Sequence, residues 1–499
     1  MAEEWEELEK GGGWVDTEEE APAPAEVEEE APEEEAATEE EAAPAGGEEW
    51  EELEKGGGWI DTGEAAPAKA ALTLEEVKKA VVPKAKPTPP PEVKKGFFQE
   101  FFAGDSWGIG LFLVIATLIG ITWIAIATNN IGLTGLVVGV LIGFAFQKGR
   151  FCIYMAHRDI LLAKSYGMMK ALVLCLILIM IGYLLVSDHG LGILSWATGG
   201  KFSAITPRPF IWAAILIGGF IFGVGTVLAG GCAAGTSYRA GEGYIGNMIA
   251  VITLMLGASM GMFGALSPLV GGKPGDSYLK TFVGKYTTAS GKTISNPTIF
   301  DIMANQGIGP WPTAIGIIIL VAIIWIWKSG FRLPEIIPKE GISLERIVKH
   351  KWTKWKAGVA IAVIVIIGLL AHSAAEAWCG QGHNYSICAA CGLVRLTHNY
   401  FSTNGNLFEW SGLMMVGLII GAFISAQFAG EFTLRVPEGK IILQAALGGF
   451  LMGLGAVTSL GCTVGHILSG VPTLSLGSLL GWFSIATGIW VTTYMLFMR

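Results

Sequence analysis

The chain has 499 residues, 52% of them hydrophobic and 15% charged, with 69 glycines and a mean hydropathy of +0.53, which is not the composition of an ordinary soluble enzyme. Its formal charge of −10 hides two chemistries: 26 of the 43 acidic residues but three of the 33 basic ones fall within residues 1–70, leaving about −23 on this tail and +13 on the rest. A nucleic-acid binder is disfavoured too, because the tail would repel phosphates and the basic remainder is apolar over most of its length.

Residues 1–70 are rich in Glu, Ala, Pro and Gly and have almost nothing to bury, so they are expected to be a disordered acidic tail. Within them EEWEELEKGGGWVDT, at 3–17, recurs at 48–62 with 14 of 15 positions identical; Val15 faces Ile60. The plainer reading is a duplicated low-complexity segment, and the other is a docking motif present twice, which gives a partner two chances to bind. The acidic start has no continuous apolar core, so no signal peptide is expected. Residues 71–105 turn basic and Pro-rich and form a stiff linker towards a bilayer.

From there apolar runs follow near 108–127, 131–147, 169–187, 210–229, 245–266, 311–327, 357–372, 410–428, 441–459 and 476–497, each long enough or nearly so to cross a bilayer as a helix. The fold class expected is an all-α polytopic membrane protein of about ten spans, in two pseudo-symmetric halves with glycine-broken helices. The first half is placed at 106–270, a connecting region at 271–409 and the second half at 410–499. Lys94 and Lys95 precede the first span, and Lys328 to Lys356 hold a dense basic loop, so by the positive-inside rule both face the cytoplasm and the N-terminus lies inside. The segments around 267–309 and 373–409 then lie outside. Several spans end in glycine pairs followed by cysteine, and broken backbone at membrane depth is tolerated only where protein or a water-filled cavity satisfies it.

The halves are related by sequence. Residues 218–235 (GGFIFGVGTVLAGGCAAG) and 448–465 (GGFLMGLGAVTSLGCTVG) share 9 of 18 positions at a constant offset of 230, including Gly231-Cys232 and Gly461-Cys462. A weaker echo relates 135–143 to 412–421. Such duplication is the usual build of secondary transporters, with the substrate site between the halves. Glycine spacing alone serves helix packing, but that does not explain a cysteine kept in register by two diverged halves. Cys175, inside an unbroken apolar run, reads as a small core residue. Cys152 lies in Arg150-Phe-Cys152-x5-Arg158-Asp159, whose charges suit either a pathway or a cytoplasmic loop, and Arg239 and Glu242 pose the same choice.

Thiols beside broken helices offer soft S–H donors, the backbone N–H groups at Gly231 and Gly461 favour an anion, and Arg150, Arg158 and Arg239 would concentrate anions at one mouth. The ligand that fits best is a small sulfur-containing anion. A soft metal is the competing cargo, but the flanking charges are basic and no metal-ligand set or cofactor is expected. Cys379, Cys388 and Cys391, with His383 and His398, read either as half a zinc site or as one disulfide plus a spare thiol. His466 and Lys148 are as compatible with structural roles as with functional ones.

These motifs resemble the YeeE/YedE family of prokaryotic membrane proteins, which includes thiosulfate transporters and members linked to selenium. The resemblance covers roughly 130–265 and 410–498, through Arg150-x-Cys152-x5-Arg158-Asp159, Gly223-x-Gly225-x5-Gly231-Cys232-x2-Gly235 with Tyr238, Arg239, Glu242 and Gly243, and Gly453-x-Gly455-x5-Gly461-Cys462. It implies a non-enzymatic transporter of the prokaryotic cytoplasmic membrane that imports thiosulfate past Cys232 and Cys462, with Cys152 as a third thiol. Two alternatives stand beside it: the same fold with a selenium compound or a soft metal as cargo, or, from the acidic tail, a membrane anchor that hands sulfur to a soluble sulfur-carrier protein docked there. One departure stands out: 427–435 (QFAGEFTLR), the second-half counterpart expected for the Cys152 region, has no cysteine.

Overall fold

A computed structural model of the protein describes residues 107–128, 130–186, 207–271, 277–288, 291, 293–329, 343–379, 387–401 and 409–498. The acidic tail, its duplicated motif, the linker and His383 lie outside the described residues. Among the described residues nine helices are long and apolar enough to cross a membrane, and the strands are the two-residue pair Tyr286–Thr287 and Thr293–Ile294. The chain is a polytopic helical membrane protein. The tenth apolar run, expected at 311–327, falls on a helix whose apolar stretch, Pro310–Ile323, is shorter.

The main helices are α1 (Trp107–Ala127), α2 (Thr134–Gly149), α3 (Ile153–Leu162), α4 (Gly167–Val186), α5 (Trp212–Leu228), α6 (Ala233–Gly241) and α7 (Ile245–Met262). They continue as α8 (Pro310–Ser329), α9 (Lys354–Cys379), α10 (Ala389–Phe401), α11 (Trp410–Ala429) and α12 (Gly439–Thr458), followed by a π-helical turn, Val464–Gly470, and α13 (Leu476–Phe497). A helix satisfies its own backbone hydrogen bonds, so long runs of Leu, Ile, Val and Ala can sit in hydrocarbon. On α1 only Gly110 and Ala125 are buried, while Ile109, Phe112, Ile119 and Trp123 are exposed, as suits a peripheral helix facing lipid.

Contacts repeat in a two-fold pattern. Helix α2 packs on α11 as α9 packs on α4, α5 packs on α13 as α12 packs on α7, and each of the pairs α2–α9 and α5–α12 joins two counterparts. Lipid provides no hydrophobic drive between helices, so close backbone approach has to. Glycines make it: an added Cβ at Gly225 would lie 2.6 Å from the Gly448 carbonyl oxygen, and one at Gly448 would lie 2.7 Å from that of Gly225. The central glycines of the 230-residue repeat are therefore the surfaces on which its two copies meet. The weaker echo has another cause. An added Cβ at Gly135, Gly139 or Gly143 would collide with the carbonyls of Trp410, Met414 or Leu418, and one at Gly417 or Gly421 with those of Leu136 or Val140. Helices α2 and α11 resemble each other because they are packing partners with matched glycine faces.

Candidate functional site

Three spans break in the same way. Arg150, Gly230 and Leu460 take positive φ (43°, 67° and 57°), each two residues before Cys152, Cys232 or Cys462. At each break the next backbone N–H closes the helix end: Phe151 to the Phe146 carbonyl (3.1 Å), Gly231 to Thr226 (3.0 Å) and Gly461 to Ala456 (3.0 Å). This is the Schellman closure, which normally uses glycine in the left-handed position. Glycine at 230 takes it freely, whereas Arg150 and Leu460 each carry a cost of about 1 kcal/mol. The chain then turns and a new helix begins at the cysteine. Cys152 and Cys232 are the N-cap residues of α3 and α6. The Gly235 N–H donates to Cys232 Sγ and the Gly465 N–H to Cys462 Sγ, each at 3.4 Å. Each sulfur thus sits, buried, at the positive end of a short helix.

Cys152 Sγ lies 3.9 Å from Cys232 Sγ, and both are buried. Cys462 Sγ lies 3.7 Å from Cys388 Sγ and accepts from the Ala390 N–H at 3.5 Å. The Thr463 side chain lies near the Cys232 thiol. Next to the cysteine loops an apolar void of about 10 Å³ is lined by Phe146, Ala234, Ile387, Ala389, Leu418 and Val464. This is room for about one water molecule.

The expected site residues separate into groups. Cys152, Cys232, Gly231 and Arg239 come together: an Arg239 guanidinium N–H donates to the Gly230 carbonyl, and an added Cβ on Gly231 would meet that guanidinium at 3.3 Å. Cys462 and Gly461 form the second group with Arg208, which donates to the Leu460 carbonyl and to that of Gly465 at 3.1 Å. Arg150 stands apart at a mouth, paired with Glu431 at 3.1 Å. Arg158 is tied to its neighbour Asp159 at 2.7 Å and joins neither group. Cys175 is buried on α4. His466 is fully buried, with Nε2 3.1 Å from the Ser459 carbonyl, and fills the space left by Gly461 and Gly481.

Sequence reasoning left one feature open and missed two. Cys388 and Cys391 form a disulfide, which resolves the two readings of that motif, and His398 instead stacks on Phe263 with ring centroids 4.6 Å apart. Among the described residues no three His, Cys, Asp or Glu side chains gather as a metal site. The mouth near Arg150 opens into a cavity of about 450 Å³ lined by Lys148, Arg150, Lys351 and Lys354 with Trp352 and Trp355. Lys351 and Lys354 had a signal only as loop charges that set orientation. Lys148 Nζ is buried and has no hydrogen-bond partner among the described residues. Finally, 427–435 is not a copy of the Cys152 region but its contact: Glu431 accepts from Gln147 Nε2 and Arg150 and pairs with Lys351 at 3.4 Å.

Beside this mouth, burial pushes the Glu242 carboxyl above the usual range despite Arg150 and Gln147. Burial acts the same way on Glu431, but Arg150 and Lys351 outweigh it and hold that carboxyl below the usual range. Helix α3 is fixed by His157. Its Nδ1 faces the Ile153 carbonyl at 2.8 Å, and its Nε2 accepts from Trp482 Nε1 of α13 at 2.8 Å, so the proton belongs on Nδ1.

Two related halves, spans broken around a buried centre and a basic vestibule define a polytopic membrane transporter. The chain belongs to the sulphur transport family, whose model matches residues 148–491. It is 34% identical over 374 residues to the thiosulfate transporter TsuA of Spirochaeta thermophila, covering 73% of this chain and 99% of that one. It is 28% identical over 371 residues to the thiosulfate transporter TsuA of Escherichia coli K12, covering 74% and 95%. The probable transporter YedE of Escherichia coli K12 is 38% identical over 79 residues, 16% of this chain.

Proposed function

We propose that the protein imports thiosulfate, or a closely similar sulfur-containing anion, across the prokaryotic cytoplasmic membrane past the thiols of Cys462, Cys232 and Cys152. The observation that carries this reading is the buried Cys152–Cys232 pair, 3.9 Å apart, with each residue capping a helix start. Helix N-termini favour an anion, and a thiol donates a weak hydrogen bond that suits a soft sulfur atom. Gly231 and Gly461 keep the guanidinium groups of Arg239 and Arg208 close by, so the anion meets positive charge without an ion pair strong enough to trap it. No redox change is needed: the anion passes from thiol to thiol. The positive-inside rule puts the vestibule of Lys148, Arg150, Lys351 and Lys354 on the cytoplasmic face, where it serves as the exit. The similarity to two thiosulfate transporters along most of the chain supports the choice of cargo.

The test is uptake of labelled thiosulfate by proteoliposomes holding the full chain, with selenite, sulfite, sulfide and copper(I) as competitors. Uptake that thiosulfate saturates and copper(I) leaves unchanged supports the reading; the absence of thiosulfate uptake, with uptake of another of these, refutes it.

A further inference from the structure

Cys388 lies outside the repeat that relates Cys232 to Cys462, yet its surroundings reproduce those of Cys152. An added Cβ at Gly235 would lie 2.9 Å from Cys152 Sγ, and one at the equivalent Gly465 would lie 2.8 Å from Cys388 Sγ. Arg239 donates to the carbonyl of Gly230 in one loop and Arg208 to that of Leu460 in the other, again 230 residues apart. Cys152 opens α3 after α2, and Cys388 directly precedes α10, which follows α9; α2 and α9 are paired. Helix α3 packs on α4 and α13, and α10 on α11 and α7, the counterparts under the two-fold pattern. Cys388 therefore stands to Cys462 as Cys152 stands to Cys232, and the second half starts at α9 rather than at residue 410.

The pairs differ in one chemical respect. Cys152 and Cys232 are free thiols, whereas Cys388 is joined to Cys391. A disulfide sulfur has no proton to donate. We propose, resting on the thiosulfate reading above, that Cys388 is a fourth thiol of the path and that its bond to Cys391 is a redox switch: the oxidised pair withholds the donor and slows passage, and the reduced pair supplies it. Cys388 is buried and Cys391 half-buried, so an external dithiol attacks at Cys391. The Cys388–Cys391 bond breaks and Cys388 leaves as a thiolate that takes up a proton. The second thiol of the reductant then displaces Cys391 as a free thiol, and the reductant departs as its own disulfide, so two electrons have moved to the protein. In the orientation argued above, α9 carries the chain from the vestibule to the outer face before Cys388 is reached. That is the compartment in which disulfides persist.

Thiosulfate uptake is measured in proteoliposomes of the full chain with the pair oxidised or reduced by a dithiol, and its state is read by alkylation and mass spectrometry. The switch requires uptake several-fold faster after reduction, reversed on reoxidation. Cys391→Ser, which leaves Cys388 free, is expected to match the reduced rate without any reductant. Equal rates from verified oxidised and reduced wild type overturn the switch while leaving the thiosulfate reading intact. A dithiol response that persists in Cys391→Ser also overturns it, because the responding sulfurs would then not be the Cys388–Cys391 pair. Absence of thiosulfate uptake in every form refutes the cargo and the switch with it.

Discussion

The thiol of Cys152 lies 3.9 Å from that of Cys232, although 80 residues separate them along the chain. Neither sulfur could be there if the spans were continuous. Each helix has to end in a left-handed residue, at Arg150 or Gly230, before a second short helix begins at the cysteine. Side chains at such breaks are held by backbone geometry, so the placement of the thiols depends on the breaks and on the packing that supports them.

The first prediction concerns that packing. Substituting Gly139→Ala puts a Cβ against the Met414 carbonyl, so α2 and α11 have to separate. Overpacking of this kind costs about 1–3 kcal/mol. A lower melting temperature in detergent together with slower uptake is expected. Gly316→Ala, at a glycine with open space around it, should change neither.

His157 provides a second test, because it ties α3, and hence Cys152, to α13. Trp482→Phe removes the donor to Nε2 but keeps an aromatic ring. The loss of one buried hydrogen bond costs about 1 kcal/mol, and uptake should fall further than the stability loss accounts for. Thermal unfolding and uptake measured on the same preparation separate the two effects.

The mouth should respond to pH. The Glu242 carboxyl is raised by burial and the Glu431 carboxyl is held down by Arg150 and Lys351, so as pH falls Glu242 protonates first. Neutralising it removes a negative charge beside the proposed anion path while the Glu431 ion pairs remain. Uptake is expected to rise over that interval and then decline once Glu431 is protonated and its ion pairs are lost. Glu242→Gln should flatten the rise and show the higher rate at neutral pH. A variant whose pH profile still rises like that of the wild type would assign the effect to another group.

The tail gives a fourth prediction. The family match begins at residue 148 and, among the described residues, the first membrane-length helix at Trp107, so deleting residues 1–70 should leave uptake by proteoliposomes unchanged. If uptake in cells falls for the same deletion, the tail serves delivery by a soluble partner.

Much of this arrangement was legible in the sequence. The apolar runs located the spans because a bilayer imposes length and apolarity, and the shared Gly-Cys register located Cys232 and Cys462. Beyond the basic cavity and the Glu431 contact, two further things were not legible. Cys388 belongs to the same constellation, but its segment has diverged from that of Cys152 and lies outside the 230-residue offset, so only three-dimensional packing relates them. The likeness of 135–143 to 412–421 looked like duplication, whereas the glycines of α2 and α11 are alike because each has to admit the other's backbone. Similarity between helices in a membrane reflects contact as readily as descent.

The central claim is that sulfur, not merely a polar group, lines the path. It is tested most directly by thiosulfate uptake into proteoliposomes with Cys232 and Cys462 each replaced by Ala and by Ser. The account predicts at least a tenfold loss for both Ala variants and only partial recovery for Ser, which keeps a donor but lacks the soft sulfur. Wild-type rates in Cys232→Ala and Cys462→Ala would contradict it.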